Sequence, residues 1–317
     1  MKVIFGLGPH LKGKNTFEGK VVAVGVFDGV HRGHKLILRS AVKDARKNHL
    51  KSTVVTFSSH PSHYFHPQSR VPALTSLEHK LFFIEKEGID ICYVIDFNRS
   101  FACLSPRDFV KKILIDKIGM AALYIGEDFL FGKGGKGDVR LLEELRLKFH
   151  FRLRVLKHLT LKHRIVSSTL IRDLIKSGQL SLASYFLGRR VSFMGEVIRG
   201  EGRGFSLGFP TANIRPHHEV LAPDGIYAAL ALCQGRLYKS LTYIGVKPTF
   251  NKQRKARSIE VFILGLNKNI YHAAMEVYFI KKVRDDQKFS SKDALAAEMK
   301  NDVFRAGKIF KKISLKF

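Results

Sequence analysis

Cysteine is scarce in this 317-residue chain: Cys92, Cys103 and Cys233 are far apart, odd in number and form no CxxC pair. Their spacing argues against a disulfide framework or a zinc site and fits a reducing compartment, which points to the cytoplasm. Long apolar runs are missing as well. No stretch approaches the ~20 apolar residues that a membrane span needs. The opening MKVIFGLGPHLKGKNTFEGK has Gly, Pro and Lys where a secretory signal needs a continuous apolar core. Acidic residues are few, 27 against 55 Lys and Arg, giving a net charge of +28. Residues 1–186 hold 31 basic and 16 acidic side chains, and residues 187–317 hold 24 and 11, so the excess is not gathered in a tail. Such a surface suits polyanions, either nucleic acid or small phosphorylated substrates. The chain lacks the RNP-type aromatics, zinc framework or basic arm of a nucleic-acid binder, so a nucleic-acid partner is not expected. At 45% apolar residues and a mean hydropathy of −0.05 the chain reads as soluble and globular. Its length has room for two ordinary domains, since single cores stop growing near ~250 residues.

What is present falls into two textures. Up to about residue 185, strand-like and helix-like segments alternate, as in a parallel sheet with crossover helices. Strands are expected at 21–26, 53–57, 91–95, 123–125 and 153–156, with helices at 34–47, 77–87 and 139–149. Ser105-Pro-Arg-Asp108 opens a further helix, with Ser as N-cap and Pro in the first turn. After Leu187-Gly188-Arg189 the signals become short strands between Gly, Pro and Asn turns, at 193–198, 226–232, 241–244, 259–264 and 275–280. That spacing predicts a small β-barrel. Ser290-Ser-Lys-Asp293 caps a closing helix that Gly307 separates from a basic terminal segment. The domain boundary is placed at 186/187.

Two constellations carry chemistry. The first, Gly25-Val-Phe-Asp-Gly-Val-His-Arg-Gly-His34, lies between the first strand and first helix, the ligand-binding end of a doubly wound sheet. Gly25, Gly29 and Gly33 allow close backbone approach. The following helix offers free N–H groups to phosphate, and His31 and His34 can hydrogen-bond charge that develops on it. The second is Gly200-Glu-Gly-Arg-Gly-Phe-Ser-Leu-Gly-Phe-Pro-Thr-Ala-Asn213, a glycine-rich loop able to wrap phosphates through its amides. It ends in two hard oxygen donors suited to Mg²⁺, Thr211 and Asn213, and has no GK[ST] of a Walker loop. Glu260 is a lone carboxylate in the apolar strand Ser258-Ile-Glu-Val-Phe-Ile263, where alternation alone would turn it outward.

The HxGH core resembles the nucleotidylyltransferase signature. The wider string resembles the first motif of bacterial bifunctional riboflavin kinase/FAD synthetases. Further segments are similar to that family in order: Thr56-Phe57 with His60-Pro61, Gly126-Glu-Asp-Phe-Leu-Phe-Gly132, Ser167-Ser-Thr-Leu-Ile-Arg172, the PTAN string, and 283–289. The resemblance implies a Rossmann-like α/β nucleotidylyltransferase domain over 1–186, followed by a small β-barrel riboflavin kinase domain over 187–317. It implies riboflavin, FMN and ATP as substrates, with Mg²⁺. His31, His34 and Arg172 would stabilise adenylyl transfer. Gly25, Phe27, Asp28, Gly29, Gly33, His60, Pro61, Asp128, Phe129, Ser167, Ser168 and Thr169 would contact ATP or FMN. In the kinase half, Gly202, Arg203, Gly208, Phe209 and Pro210 would bind ATP. Thr211 and Asn213 would hold the metal, Glu260 would be the general base, and Arg284 and Phe289 would cover the flavin. Val26, Ser59, Leu170, Tyr243 and His272 depart from the family's usual residues. The alternatives are activity in one half only, or a basic nucleic-acid-binding protein.

Overall fold

Runs such as Val21–Val24, with both faces apolar, are what a strand buried between two helical layers requires. The computed structural model describes residues 1–7, 19–65, 68–200, 208–217, 220–246, 257–266 and 268–313. The chain divides into two compact units, Met1–Ser168 and Thr169–Phe317.

In the first unit β1 (Lys2–Phe5), β2 (Lys20–Val24), β3 (Lys51–Phe57), β4 (Ile91–Ile95), β5 (Met120–Gly126) and β6 (Arg152–Leu156) form one sheet. Its order is β1-β4-β3-β2-β5-β6 and its pairs are parallel. The helices are α1 (Arg32–Lys47), the short α2 (Ser62–Phe65), α3 (Leu77–Lys86), α4 (Arg99–Ala102), α5 (Pro106–Asp108) and α6 (Val139–Phe149). A π-helical segment, Phe109–Lys117, continues α5. Alternation along β2 splits the core in two. Val22 and Val24 face Ile113, Leu114, Leu142 and Leu145 on one side. Val21 and Ala23 face Leu38, Ala41, Val42 and Ile84 on the other. Each buried Leu or Val stabilises the fold by roughly 1.5–3 kcal/mol. Ser105 caps α5 by accepting from Asp108 N–H, as its sequence predicts, and Asp138 caps α6 by accepting from Leu141 N–H. A two-stranded ribbon, β7 (Thr160–Leu161) and β8 (Arg164–Ile165), completes this unit.

The division between the units falls inside α7 (Ser168–Lys176), which α8 (Leu180–Leu187) follows. The six strands of the second unit are β9 (Ser192–Ile198), β10 (Thr211–Pro216), β11 (Gly225–Cys233), β12 (Arg236–Val246), β13 (Arg257–Ile263) and β14 (Ala274–Arg284). They close into a barrel of order β10-β13-β12-β11-β14-β9, with antiparallel pairs throughout. The final helix α9 (Lys292–Lys311) lays Ala306 and Phe310 on Ala228, Leu230 and Leu241 of the barrel wall. It is capped by Ser291 and runs through Gly307 without a break, where the sequence suggested a stop. A single helical Gly costs only about 1 kcal/mol relative to Ala, and twenty residues of helix absorb it. The periodicity also left β1, β10 and α8 unassigned.

Candidate active sites

The first site grows from the end of β2. Gly25 N–H still bonds Val55 O at 3.1 Å, after which the backbone turns through left-handed conformations at Phe27 (φ 52°), Gly29 (φ 78°) and Val30 (φ 37°). For Phe and especially β-branched Val such angles cost on the order of 1–3 kcal/mol each, so neighbours must hold the turn. They do. The Asp28 carboxylate accepts from Leu74 N–H at 3.0 and 3.1 Å and from Thr75 N–H at 3.2 Å. Gly29 N–H donates to Thr75 Oγ1 at 3.2 Å, and Ser168 Oγ donates to Asp28 O at 2.9 Å. Asp28 thus fastens the turn to the chain before α3, and it is not among the residues that line the cavity described below.

His31 is the N-cap of α1: its Nδ1 accepts from His34 N–H at 3.2 Å. An accepting ring nitrogen carries no proton, so neutral His31 keeps its proton on Nε2. The His31 and His34 rings stack at 3.6 Å between centroids and 16° between planes, and the Phe27 ring meets His34 edge-on at 5.3 Å. The turn therefore delivers two parallel imidazoles at the amino end of a sixteen-residue helix, where backbone N–H groups favour anions. Gly33 keeps them close: a Cβ there would lie 3.2 Å from the His31 ring.

His34 opens onto a cavity of about 580 Å³ with Gly25, Val26, Phe27 and Gly126 around it. Its far wall is aromatic. Phe57, Phe97, Phe101, Phe109 and Phe131 follow one another at 5.5–5.8 Å between centroids, and Phe129 stacks on Phe131 at 5.5 Å and 12°. Such a wall takes a flat, conjugated ligand. Of these, the sequence marks only Phe129 as a ligand contact, while Phe57 and Phe131 enter only as parts of the family-like segments. Phe57, Phe97, Phe101 and Phe109 come from three separate elements or their flanks, and no local pattern shows that they meet. Pro61 and Asp128 line the cavity, as expected of ligand contacts. His60 turns to its own chain, where its Nδ1 lies 3.1 Å from Ser62 N and 2.7 Å from Ser62 Oγ. Gly132 (φ 72°) packs so tightly on the start of α5 that a Cβ would lie 2.6 Å from Pro106 N. Ser167 precedes α7 and Ser168 begins it; the helix exposes Thr169 and buries Arg172 at 7% exposure.

The second site lies on the outer face of the barrel. Residues directly opposite in register share a face, and one row crosses five strands: Asn213, Glu260, Tyr243, Ile226 and Arg284. Glu260 alternates with the buried Ile259 and Val261 and so faces outward, as its strand pattern predicts, within the row of the candidate site. Thr211, two residues from Asn213 on β10, donates its hydroxyl to Glu260 Oε2 at 3.1 Å. A Cβ on Gly200 would collide with the Asn213 amide, so the Gly200 backbone packs directly on this corner. Phe209, beside Pro210, packs edge-on against Phe262 at 5.3 Å. Among the described residues, none lies within 4 Å of a Cβ built on Gly208 (φ 80°). Gly202 and Arg203 lie outside the described residues. Arg284 stands over the Phe289 ring at 5.5 Å, so the two expected flavin-side residues meet. Its guanidinium forms a two-pronged pair with Asp302 of α9, at 3.0 and 2.8 Å. Tyr243 Oη donates to Asp286 Oδ2 at 3.2 Å. Burial, reinforced by that carboxylate and by Glu260, pushes the Tyr243 phenol up to about 12.

Comparison with known proteins matches both units to one family. The FAD synthetase family model covers residues 13–170, and the riboflavin kinase model covers residues 187–310. The bifunctional riboflavin kinase/FMN adenylyltransferase of Buchnera aphidicola from Schizaphis graminum is 34% identical over 98% of this chain and 99% of its own. The protein of that name from Bacillus subtilis is 34% identical over 98% of each chain, and that from Escherichia coli K12 is 32% identical over 98% of each. A crystal structure described as a macrolide-efflux protein from Streptococcus pneumoniae superposes with a TM-score of 0.84 at 28% identity, over 99% of this chain and 100% of that one. Among the described residues, no helix is long and apolar enough to cross a membrane. With its two motif-bearing units and full-length relatives, the chain belongs to the bifunctional riboflavin kinase/FMN adenylyltransferase family.

Proposed function

We infer that this protein makes FAD from riboflavin in two ATP-dependent steps: residues 187–317 phosphorylate riboflavin to FMN, and residues 1–186 adenylylate FMN. The observation that carries the second step is His34, which lines a cavity walled by phenylalanines and has the buried His31 ring stacked on it. Imidazole N–H groups serve phosphate charge, and the aromatic wall serves an isoalloxazine ring. An FMN phosphate oxygen attacks the α-phosphorus of ATP, the bond to the β-phosphate bridging oxygen breaks, and pyrophosphate leaves. His31 and His34 stabilise the charge that builds on the phosphoryl oxygens, and no covalent enzyme intermediate is needed.

In the kinase half, Glu260 accepts the proton of the riboflavin 5′-hydroxyl as that oxygen attacks the γ-phosphorus and ADP leaves. The Thr211 hydroxyl, within 3.1 Å of the Glu260 carboxylate, and the Asn213 amide opposite it make a hard-oxygen corner that fits Mg²⁺. Thr211 and Asn213 would hold the ion together with ATP, and it would supply charge neutralisation for the transferring phosphate. Arg284 and Phe289 border the flavin. Cys92, Cys103 and Cys233 are free, which fits a reducing cytoplasm; Cys92 is buried, and burial pushes its thiol up to about 12, which makes it inert.

Purified protein with riboflavin, ATP and Mg²⁺ tests this reading by chromatography of the products. FMN should rise first and FAD follow. FMN alone would confine activity to one half, and neither product would reject the reading. RNA binding that survives active-site substitution would favour the nucleic-acid alternative.

A further inference from the structure

Lys80, on α3, is 6% exposed and its ammonium lies beneath the first site. Nζ donates to Phe57 O at 2.7 Å and to Val26 O at 3.3 Å. These carbonyls sit where the parallel ladder between β2 and β3 has ended. Its last pair is Val24 with Val55, and Gly25 N–H closes it. Beyond that point the two strand ends must separate to open the cavity, and both Val26 and Phe57 line it. Val26 O accepts a second bond from Thr56 Oγ1 at 3.0 Å. The same short segment, Leu74–Lys80, also grips Asp28 and Gly29. A stretch of seven residues therefore holds the strained turn that presents His31 and His34 at three points: the Val26 carbonyl, the Asp28 carboxylate and the Gly29 N–H.

We propose that Lys80 is a positioning residue for adenylyl transfer, tying the carboxyl ends of β2 and β3 so that the histidine turn and the aromatic wall keep their separation. A buried ammonium is costly in a fold, and packing alone would be served by Met or Leu. One nitrogen with three N–H groups is what two carbonyls on separate strands require. The charges acting on it are Asp28 in the turn and the Cys92 thiol on β4, and burial lowers its pKa to about 8.

Lys80→Met keeps the length of the stem and removes the donors, whereas Lys80→Gln keeps a donor one bond short. Misplacing reacting groups by about 1 Å costs on the order of 10²-fold. Lys80→Met should lower kcat for FAD formation from FMN by at least about thirtyfold, and Lys80→Gln by about three- to tenfold. KM for FMN and ATP should stay within about twofold, and riboflavin phosphorylation by the same molecules should be unchanged. Native kcat in Lys80→Met, equal losses in both variants, or a rise in KM with kcat held would overturn the assignment. Should Lys80→Met fail to fold, Lys80→Gln decides alone: a threefold or greater loss of kcat at constant KM supports it, and native kcat sinks it. The inference rests on adenylyl transfer at this cavity. Absence of FAD synthesis by the native protein would reject that reading, whereas native synthesis with an unimpaired variant rejects only the role of Lys80.

Discussion

Buried ionisable side chains report their surroundings through stability as well as rate, and Lys80 gives a sign that can be checked. Burial is the larger effect and lowers its pKa to about 8, while Asp28 and Cys92 act in the opposite direction. Between about pH 8 and the ordinary lysine value of 10.5, the unfolded chain holds a proton that the folded chain has released. Raising the pH through that window therefore favours the folded state, and below it both states are protonated and the full cost of burial remains. Lys80→Met lacks this linkage. The native protein should gain stability relative to that variant as the pH rises from 8 to 10, read from urea midpoints. A gap independent of pH would show that the lysine is not held with a lowered pKa. In sequence, Lys80 is one of the chain's 55 Lys and Arg and falls in the helix expected at 77–87, and nothing local marks it as buried. His31 and His34 were legible because glycine spacing and a strand-to-helix junction frame them. The carboxylate of Asp28 was legible as important, but its backbone partners at Leu74 and Thr75 are 46 and 47 residues away.

Elements were legible where burial is two-sided or one face is strictly apolar. β4 and α6 have the predicted bounds, Ile91–Ile95 and Val139–Phe149. β10 was not legible, because its outward positions Thr211, Asn213 and Arg215 are polar and the string reads first as a phosphate loop. In the barrel that polarity belongs to the site face, next to Glu260. α8, Leu180–Leu187, is a short apolar run of the kind whose period does not separate helix from strand. The element most exposed to a single substitution is β9 at Gly195. A Cβ there would lie 2.4 Å from Arg215 O and 2.5 Å from Ile214 Cγ2, both on β10. Backbone cannot yield as a flexible side chain does. Gly195→Ala should destabilise the barrel by about 1–3 kcal/mol or more, seen as a lower denaturant midpoint and loss of riboflavin phosphorylation. An unchanged midpoint would mean that β9 and β10 do not pack this closely.

The whole molecule joins two folds with different ways of meeting a nucleotide. A doubly wound sheet offers the carboxyl ends of its strands and a helix start. A closed barrel has no strand ends of that kind in its wall, and the site proposed for it uses outward-facing side chains in register. The net charge of +28 surrounds both and favours encounter with polyanions, which is why charge alone could not separate ATP and FMN from nucleic acid. The central claim is that one chain performs two consecutive transfers at two independent sites. It is tested most directly by following riboflavin, FMN and FAD over time in the native protein, His34→Ala and Glu260→Ala, each with ATP and Mg²⁺. His34→Ala should phosphorylate riboflavin at the native rate and accumulate FMN, with FAD formation reduced by about 10²–10³-fold. Glu260→Ala should leave riboflavin unconverted and still turn added FMN into FAD. A substitution that stops both steps, or neither, would contradict the account.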